Sequence, residues 1–272
     1  MRKELALIPW LLAAWALILV VPPVLADGGA GERLAHQVYH RPDGDDMTTR
    51  GTMVLEEPGR SPRVRQMYTY RLDVSEGEVW SLIRFAAPAD IANTGLLTLD
   101  HPDGSSDQWI YLPALDRSRR IPAARKGGRF VGSDIFFEDL QDRKVDMDRH
   151  RILGDEEVFG VPTRVLESVP SDPSNSTYGR RVSWVHEQSL LPLRMDFYAP
   201  GRNDAPTKRM EVHRLEQIQG IWTVMDTTFT DLATEHRTRL VMDAVAYDRG
   251  LPQSLFTSQA LEDPARESTF RP

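Results

Sequence analysis

The run Arg63-Val64-Arg65-Gln66-Met67-Tyr68-Thr69-Tyr70-Arg71-Leu72-Asp73-Val74 alternates in chemistry. Val64, Tyr68, Tyr70, Leu72 and Val74 share one parity, while Arg63, Arg65, Thr69, Arg71 and Asp73 share the other. Successive side chains of a strand point to opposite faces, so this period of two describes a half-buried antiparallel strand with one apolar and one charged side. Outward from it, alternation or strand-forming composition recurs at residues 52–55, 79–85, 95–99, 109–112, 161–166, 182–185, 193–198, 209–215, 222–229 and 237–245. Turn sequences lie between them: Glu57-Pro58-Gly59, Ser75-Glu76-Gly77, Pro102-Asp103-Gly104, Pro200-Gly201-Arg202-Asn203-Asp204 and Gln219-Gly220. Long amphipathic helical patterns, which βαβ crossovers require, do not separate the strands. The chain therefore reads as mainly β, a single curved antiparallel sheet in meander order.

Helical signals are few. Leu34, Ala35 and Val38 have helical spacing within residues 32–39, and Arg41-Pro42-Asp43-Gly44 ends that helix. Residues 123–142 break the strand rhythm, with a basic glycine loop, Arg125-Lys126-Gly127-Gly128-Arg129, ahead of a short helix capped by Ser133 or Asp134. Such an insertion is placed to cover the mouth of a sheet. Residues 170–176 read as a long hairpin connection.

The 272 residues, 40% hydrophobic and 27% charged, suffice for a core and exclude a disordered chain. A formal charge of -7 has the wrong sign for a general nucleic-acid binder. The absence of cysteine removes thiolate zinc sites, thiol nucleophiles and lipidation at an N-terminal cysteine. Arg2 and Lys3, then an apolar run to Leu25 and Ala26 before Asp27, read as a signal peptide over residues 1–26, followed by one domain, 27–272, exported to the periplasm.

Catalytic spacing is missing. There is no Gly-x-Ser-x-Gly, no phosphate loop and no dinucleotide glycine pattern, and Leu190 stands where a His-Glu-x-x-His motif begun at His186 needs its second histidine. No metal site and no cofactor are implied. Ser133 with Asp134 and a distant histidine keeps a hydrolase as a minor reading, against their role as helix caps. Arg117-Ser118-Arg119-Arg120, with Arg125, Lys126 and Arg129, is the dense basic segment of an acidic chain, suited to an acidic partner or headgroup or else paired with Glu138, Asp139 and Asp142.

The sequences Trp109-Ile110-Tyr111-Leu112-Pro113-Ala114-Leu115-Asp116-Arg117-Ser118-Arg119-Arg120-Ile121 and Phe130-Val131-Gly132-Ser133-Asp134-Ile135-Phe136-Phe137-Glu138-Asp139-Leu140 resemble the outer membrane lipoprotein-sorting protein family, the LolA-like exported proteins. Phe85-Ala86-Ala87-Pro88-Ala89-Asp90-Ile91, Leu191-Pro192-Leu193-Arg194 and Gly220-Ile221-Trp222 extend the likeness across most of residues 51–256. The resemblance implies an incomplete β-barrel whose apolar concave face is covered by short helices and holds an acyl chain. Its implied partners are a lipid or lipoprotein, an inner-membrane transporter of the RND type and an outer-membrane acceptor. A rival reading is a periplasmic sensor or adaptor that binds a protein with the same fold. Strand parity puts Met53, Leu55, Tyr68, Tyr70, Leu72, Ile83 and Phe85 on the concave face as cavity candidates. Arg119, Arg120, Ser133, Asp134, Glu138 and Asp139 are the candidates for a cover and docking element, with Ser133 as a cap and the arginines beside the acidic helix start.

Overall fold

A computed structural model describes residues 29–202 and 204–272. The expected signal peptide lies outside the described residues. Helix α1 (Ala30–Tyr39) forms where Leu34, Ala35 and Val38 share one stripe, and Leu34 and Ala35 are buried. Strands β1 (Asp46–Glu56), β2 (Arg63–Ser75), β3 (Glu78–Ala87), β4 (Gly95–Asp100), β5 (Ser106–Leu112) and β6 (Arg117–Arg120) follow. Then come β7 (Asp148–Val158), β8 (Val161–Pro170), β9 (Arg180–His186), β10 (Pro192–Tyr198), β11 (Lys208–Ile218), β12 (Ile221–Asp231) and β13 (Arg237–Tyr247). A last short helix, α2 (Ser258–Glu262), is capped by Thr257, whose hydroxyl accepts from the Ala260 amide.

Among the described residues, all thirteen strands form one antiparallel sheet in the order β6-β5-β4-β3-β2-β1-β13-β12-β11-β10-β9-β8-β7. Every neighbour is joined by a hairpin except β1 and β13, which meet through the register Met47 opposite Tyr247 to Glu56 opposite Arg237. The sheet does not close, and its two edges are β6 and β7. Since these edges are consecutive in the chain, residues 121–147 must cross from one to the other. This strap runs over one face, here called the inner face.

The strap is not the capped helix expected from Ser133. Past a 3-10 turn at Ala123–Arg125, it consists of three more short 3-10 turns, Phe130–Gly132, Phe137–Leu140 and Val145–Met147. Asp139, three residues into the Phe137–Leu140 turn, accepts from the Phe136 amide at 2.6 Å, and this contact opens the turn. Ser133 donates to the Phe130 carbonyl at 2.7 Å and accepts from the Ile135 amide at 3.2 Å, a local clamp in the bend before it.

Both faces of the β1–β5 half are covered. On the inner face Met53, Leu55, Met67, Ile83, Phe85 and Leu96 pack against Phe130 and Ile135 of the strap. On the outer face Tyr70, Leu82, Leu97 and Tyr111, with Tyr68, Leu72 and Trp80 partly buried, pack beneath Leu251, Leu255, Phe256 and Leu261 of the C-terminal segment. Arg84 of β3 fixes that segment: buried with Glu267, it donates through Nε to Oε1 at 2.5 Å, and its other nitrogens reach the Asn93 and Leu261 carbonyls at 2.7 Å each.

The candidate ligand cavity

Antiparallel register aligns side chains into rows across the other half of the sheet. One inner row runs Ile152, Leu166, Ser183, Met195, Met210 and Phe229 from β7 to β12. The next inner row, two residues along each strand, runs His150, Ser168, Arg181, Phe197, Lys208 and Asp231. An apolar row thus lies beside a polar one because strand residues two apart share a face. Above them, α1 seats Leu34 and Ala35 against Leu166, Val185 and Val145. Gly31 permits this close approach, since a Cβ there would lie 2.6 Å from the His150 carbonyl carbon and oxygen.

Between α1, the strap and the sheet is a cavity of about 320 Å³. Its apolar lining is Ala35, Val38, Val145, Leu166, Val185, Met195, Phe197, Met210 and Phe229, and its polar end carries Glu138, Arg143, Asp148, His150, Ser168 and Arg181. Those charges are paired. Arg143 forks onto Asp148 at 2.7 and 3.0 Å, and Arg181 donates to the same carboxylate at 2.6 Å. Glu138 accepts from the Ser176 hydroxyl and the Thr177 amide, each at 2.5 Å. Burial pulls the Arg181 guanidinium below its ordinary range, with Asp148 opposing the shift.

Lys208 is buried beside the cavity among aromatic rings, its ammonium 4.1 Å from the Phe136 centroid, 4.5 Å from Phe197 and 4.9 Å from Tyr178. It donates to Asp139 and to the Tyr178 hydroxyl, tying the strap to β11. Burial lowers the lysine and raises the tyrosine, while the Asp139 carboxylate favours the protonated form of both.

A second, polar cavity of about 720 Å³ shares Tyr39, Arg41, Asp139 and Gln141 with the first and is lined also by Asp43, Asp73, Glu76, Asp100 and Asp142. Burial pushes the Asp100 carboxyl up to about 6. The hydroxyl of Tyr39, the last residue of α1, donates to Asp142 at 2.6 Å, and Lys144 donates to the same oxygen at 2.6 Å, so the helix end is latched to the strap. Among the described residues, no group of three or more His, Asp or Glu is placed to hold a metal ion.

The residues singled out from the sequence do not assemble as one lining. Met53, Leu55, Ile83 and Phe85 are on the inner face but packed solid against the strap, away from the cavity. Tyr68, Tyr70 and Leu72 are on the outer face beneath the C-terminal segment, which corrects their placement on the concave side. Glu138 and Asp139 do reach the cavity, whereas Arg119 is exposed on β6 and Arg120 pairs with Asp107 of β5, so neither arginine braces the acidic turn. Asp134 is buried and accepts from Arg129 and from the Thr238 hydroxyl, with the His236 Nδ1 at 2.5 Å. Ser133 is engaged by Phe130 and Ile135 and not by that histidine. Among the lining residues missed were Met195, Phe197, Met210 and Phe229 with the cations Arg143 and Arg181; the odd parity of Met195 and Phe197 was the available signal.

A family described as "uncharacterized protein" matches residues 77–263. The crystal structure of a protein from Vibrio parahaemolyticus, described as an outer membrane lipoprotein-sorting protein domain, is 30% identical with a TM-score of 0.80, covering 86% of this chain and 98% of that one. A DUF1329 family protein from Desulfovibrio piger is also 30% identical, with a TM-score of 0.82 over 86% of this chain and 99% of its own. A LolA superfamily protein from Nitrosomonas europaea, 17% identical, shares the fold at a TM-score of 0.67 over 85% and 98% of the two chains. No functionally curated protein matches the chain. Open sheet, covering strap and likeness at 30% identity over nearly the whole of two solved relatives agree: the chain belongs to the DUF1329 family, with the fold of LolA superfamily proteins.

Proposed function

We propose that the protein is a non-enzymatic periplasmic carrier that holds a lipid or lipoprotein acyl chain in the cavity beneath α1 and passes it between components of the cell envelope. The observation that carries this reading is the inner row Leu166, Met195, Met210 and Phe229, which faces an open cavity of about 320 Å³ where the other half of the sheet is packed solid. At ~30 Å³ for a methylene, taken as a water's share of liquid volume, the space accepts about ten methylenes. At ~0.8 kcal/mol each, their burial is worth about 8 kcal/mol, which corresponds to micromolar affinity. That is tight enough to keep the chain out of water and loose enough to surrender it. The entry is α1, a ten-residue helix held at one end by the Tyr39–Asp142 latch. An inner-membrane transporter as donor and an outer-membrane acceptor as recipient fit such a shuttle.

The test is binding of 11-(dansylamino)undecanoic acid to the purified protein and to Met210→Trp, whose indole fills the cavity. The carrier reading expects blue-shifted fluorescence with the parent protein and an affinity about tenfold lower in the variant, with circular dichroism unchanged. Equal binding by both proteins refutes it. Native mass spectrometry of protein taken from its own envelope provides a second readout: a co-purified lipid supports the carrier, and an empty cavity with a tightly held protein supports the adaptor.

A further inference from the structure

We propose that β6 is a docking edge, to which an extended, acidic segment of a partner protein adds as a further strand by displacing the carboxylate of Glu262. This concerns partner recognition and stands whatever the cavity holds. β6 is one of the two edges of the open sheet, and its sequence is Arg117-Ser118-Arg119-Arg120. The Ile121 amide donates to the Gln108 carbonyl at 2.8 Å, so the odd positions bond towards β5 and the Ser118 and Arg120 amides point to the open side.

One of those amides already holds an acceptor of the kind a partner strand would bring. The Ser118 amide donates to Glu262 Oε1 at 2.8 Å and the Ser118 hydroxyl donates to the same oxygen at 2.5 Å. Glu262, exposed at the end of α2, stands where the carbonyl of an added strand would stand. These two donors hold its carboxyl below the usual range.

Charge selects the partner. Arg117 and Arg119 lie on the inner side of the edge and Arg120 on the outer side, all exposed, in a chain of net charge -7. Natural edge strands carry charge to discourage pairing. Here the charge is of one sign: it repels basic strands and a second copy of β6, and it attracts a strand with carboxylates on both faces. The other edge is blunted differently, since β7 has a bulge between Ile152 and Gly154 and α1 packed over it.

The experiment is fluorescence anisotropy of a short fluorescein-labelled peptide of repeated Glu-Glu-Thr-Thr, which as a strand carries carboxylates on both faces, titrated with the full-length protein. Binding is expected to weaken about tenfold in Ser118→Pro, which removes an outward amide without touching the β5 ladder. It is expected to weaken similarly in Arg117→Glu/Arg119→Glu and to tighten in Glu262→Ala. Hydrogen exchange at the Arg120 amide should slow on adding peptide, a readout on the parent protein that decides the matter should Ser118→Pro not fold. No binding, equal binding to Ser118→Pro, or binding to vesicles of phosphatidylglycerol and phosphatidylethanolamine in place of the peptide overturns the proposal.

Discussion

Removing the charge of Glu267 should release the C-terminal segment from the outer face. In Glu267→Gln the Arg84 guanidinium stays buried, facing the Asn93 and Leu261 carbonyls at 2.7 Å but with no counter-charge. A guanidinium cannot neutralise itself by losing a proton, and breaking a buried pair from one side costs about 3–5 kcal/mol. For a chain of this size each kcal/mol moves Tm by about 2–4 °C, so a fall of about 10 °C is expected in a thermal melt. Arg84→Met strands the carboxyl instead. Burial already raises the Glu267 carboxyl, and it can take up a proton, so the deficit of Arg84→Met should shrink as pH falls while that of Glu267→Gln does not. The double variant Arg84→Met/Glu267→Leu should recover about 2 kcal/mol relative to the sum of the single changes. Limited trypsin digestion localises the effect: Glu267→Gln should be cut early at Arg266 and should bind a hydrophobic dye at the uncovered Tyr70, Leu82 and Leu97. Single variants that cost less than about 1 kcal/mol, with an unchanged tryptic pattern, would show that the pair is an ornament of the segment and not its anchor.

Two further outcomes are expected. Because the Asp100 carboxyl is raised from 3.8 to about 6, the native state keeps a proton that the unfolded chain has lost, so this group makes stability fall as pH rises through that interval, by about 3 kcal/mol. Urea unfolding from pH 4 to 7 should show the slope in the difference between the parent protein and Asp100→Asn, and parallel curves would contradict it. In Gly31→Ala a Cβ placed 2.6 Å from the His150 carbonyl must lift α1, at a cost of about 1–3 kcal/mol, and stopped-flow release of the dansyl fatty acid should accelerate. Unchanged release with unchanged Tm would mean that α1 does not gate the cavity.

The sheet was legible in the sequence and the assignment of its faces was not. Alternation in β2 marked a strand correctly, but it put Val64 with Tyr70 on one apolar face, whereas Val64 is 54% exposed and Arg65 and Met67 are buried on the other. Where a strap covers one face and a C-terminal segment the other, neither parity is left to water, and alternation loses its meaning as inside against outside. The two edge strands escaped notice for a related reason: β6 is all arginine and serine, and β7 carries Asp155, Glu156 and Glu157, because edges are protected by charge. Ser133 had the composition of a cap, but the chain bends there and the Asp139 carboxylate caps the later turn instead. Lys208 gave no signal, since nothing in Thr207-Lys208-Arg209 announces three aromatic rings contributed by the strap, by β10 and by the loop after β8.

The order of the strands also governs how the molecule comes together. Every strand pair but one joins neighbours in the chain, so β1–β6 and β7–β13 are two ribbons of local hairpins that can form independently. The remaining pair, β1 with β13, unites residues 200 positions apart, Met47 and Tyr247. Closing so long a loop carries an entropic penalty of about 5 kcal/mol before the first contact across it is rewarded. Until that seam zips, Met53 and Leu55 sit on an unpaired edge, with Leu240 and Thr238, their respective partners across the seam, on another. The refolding rate is therefore set at the seam, and substitutions along β1 and β13 should slow folding where those in the outlying hairpins chiefly hasten unfolding.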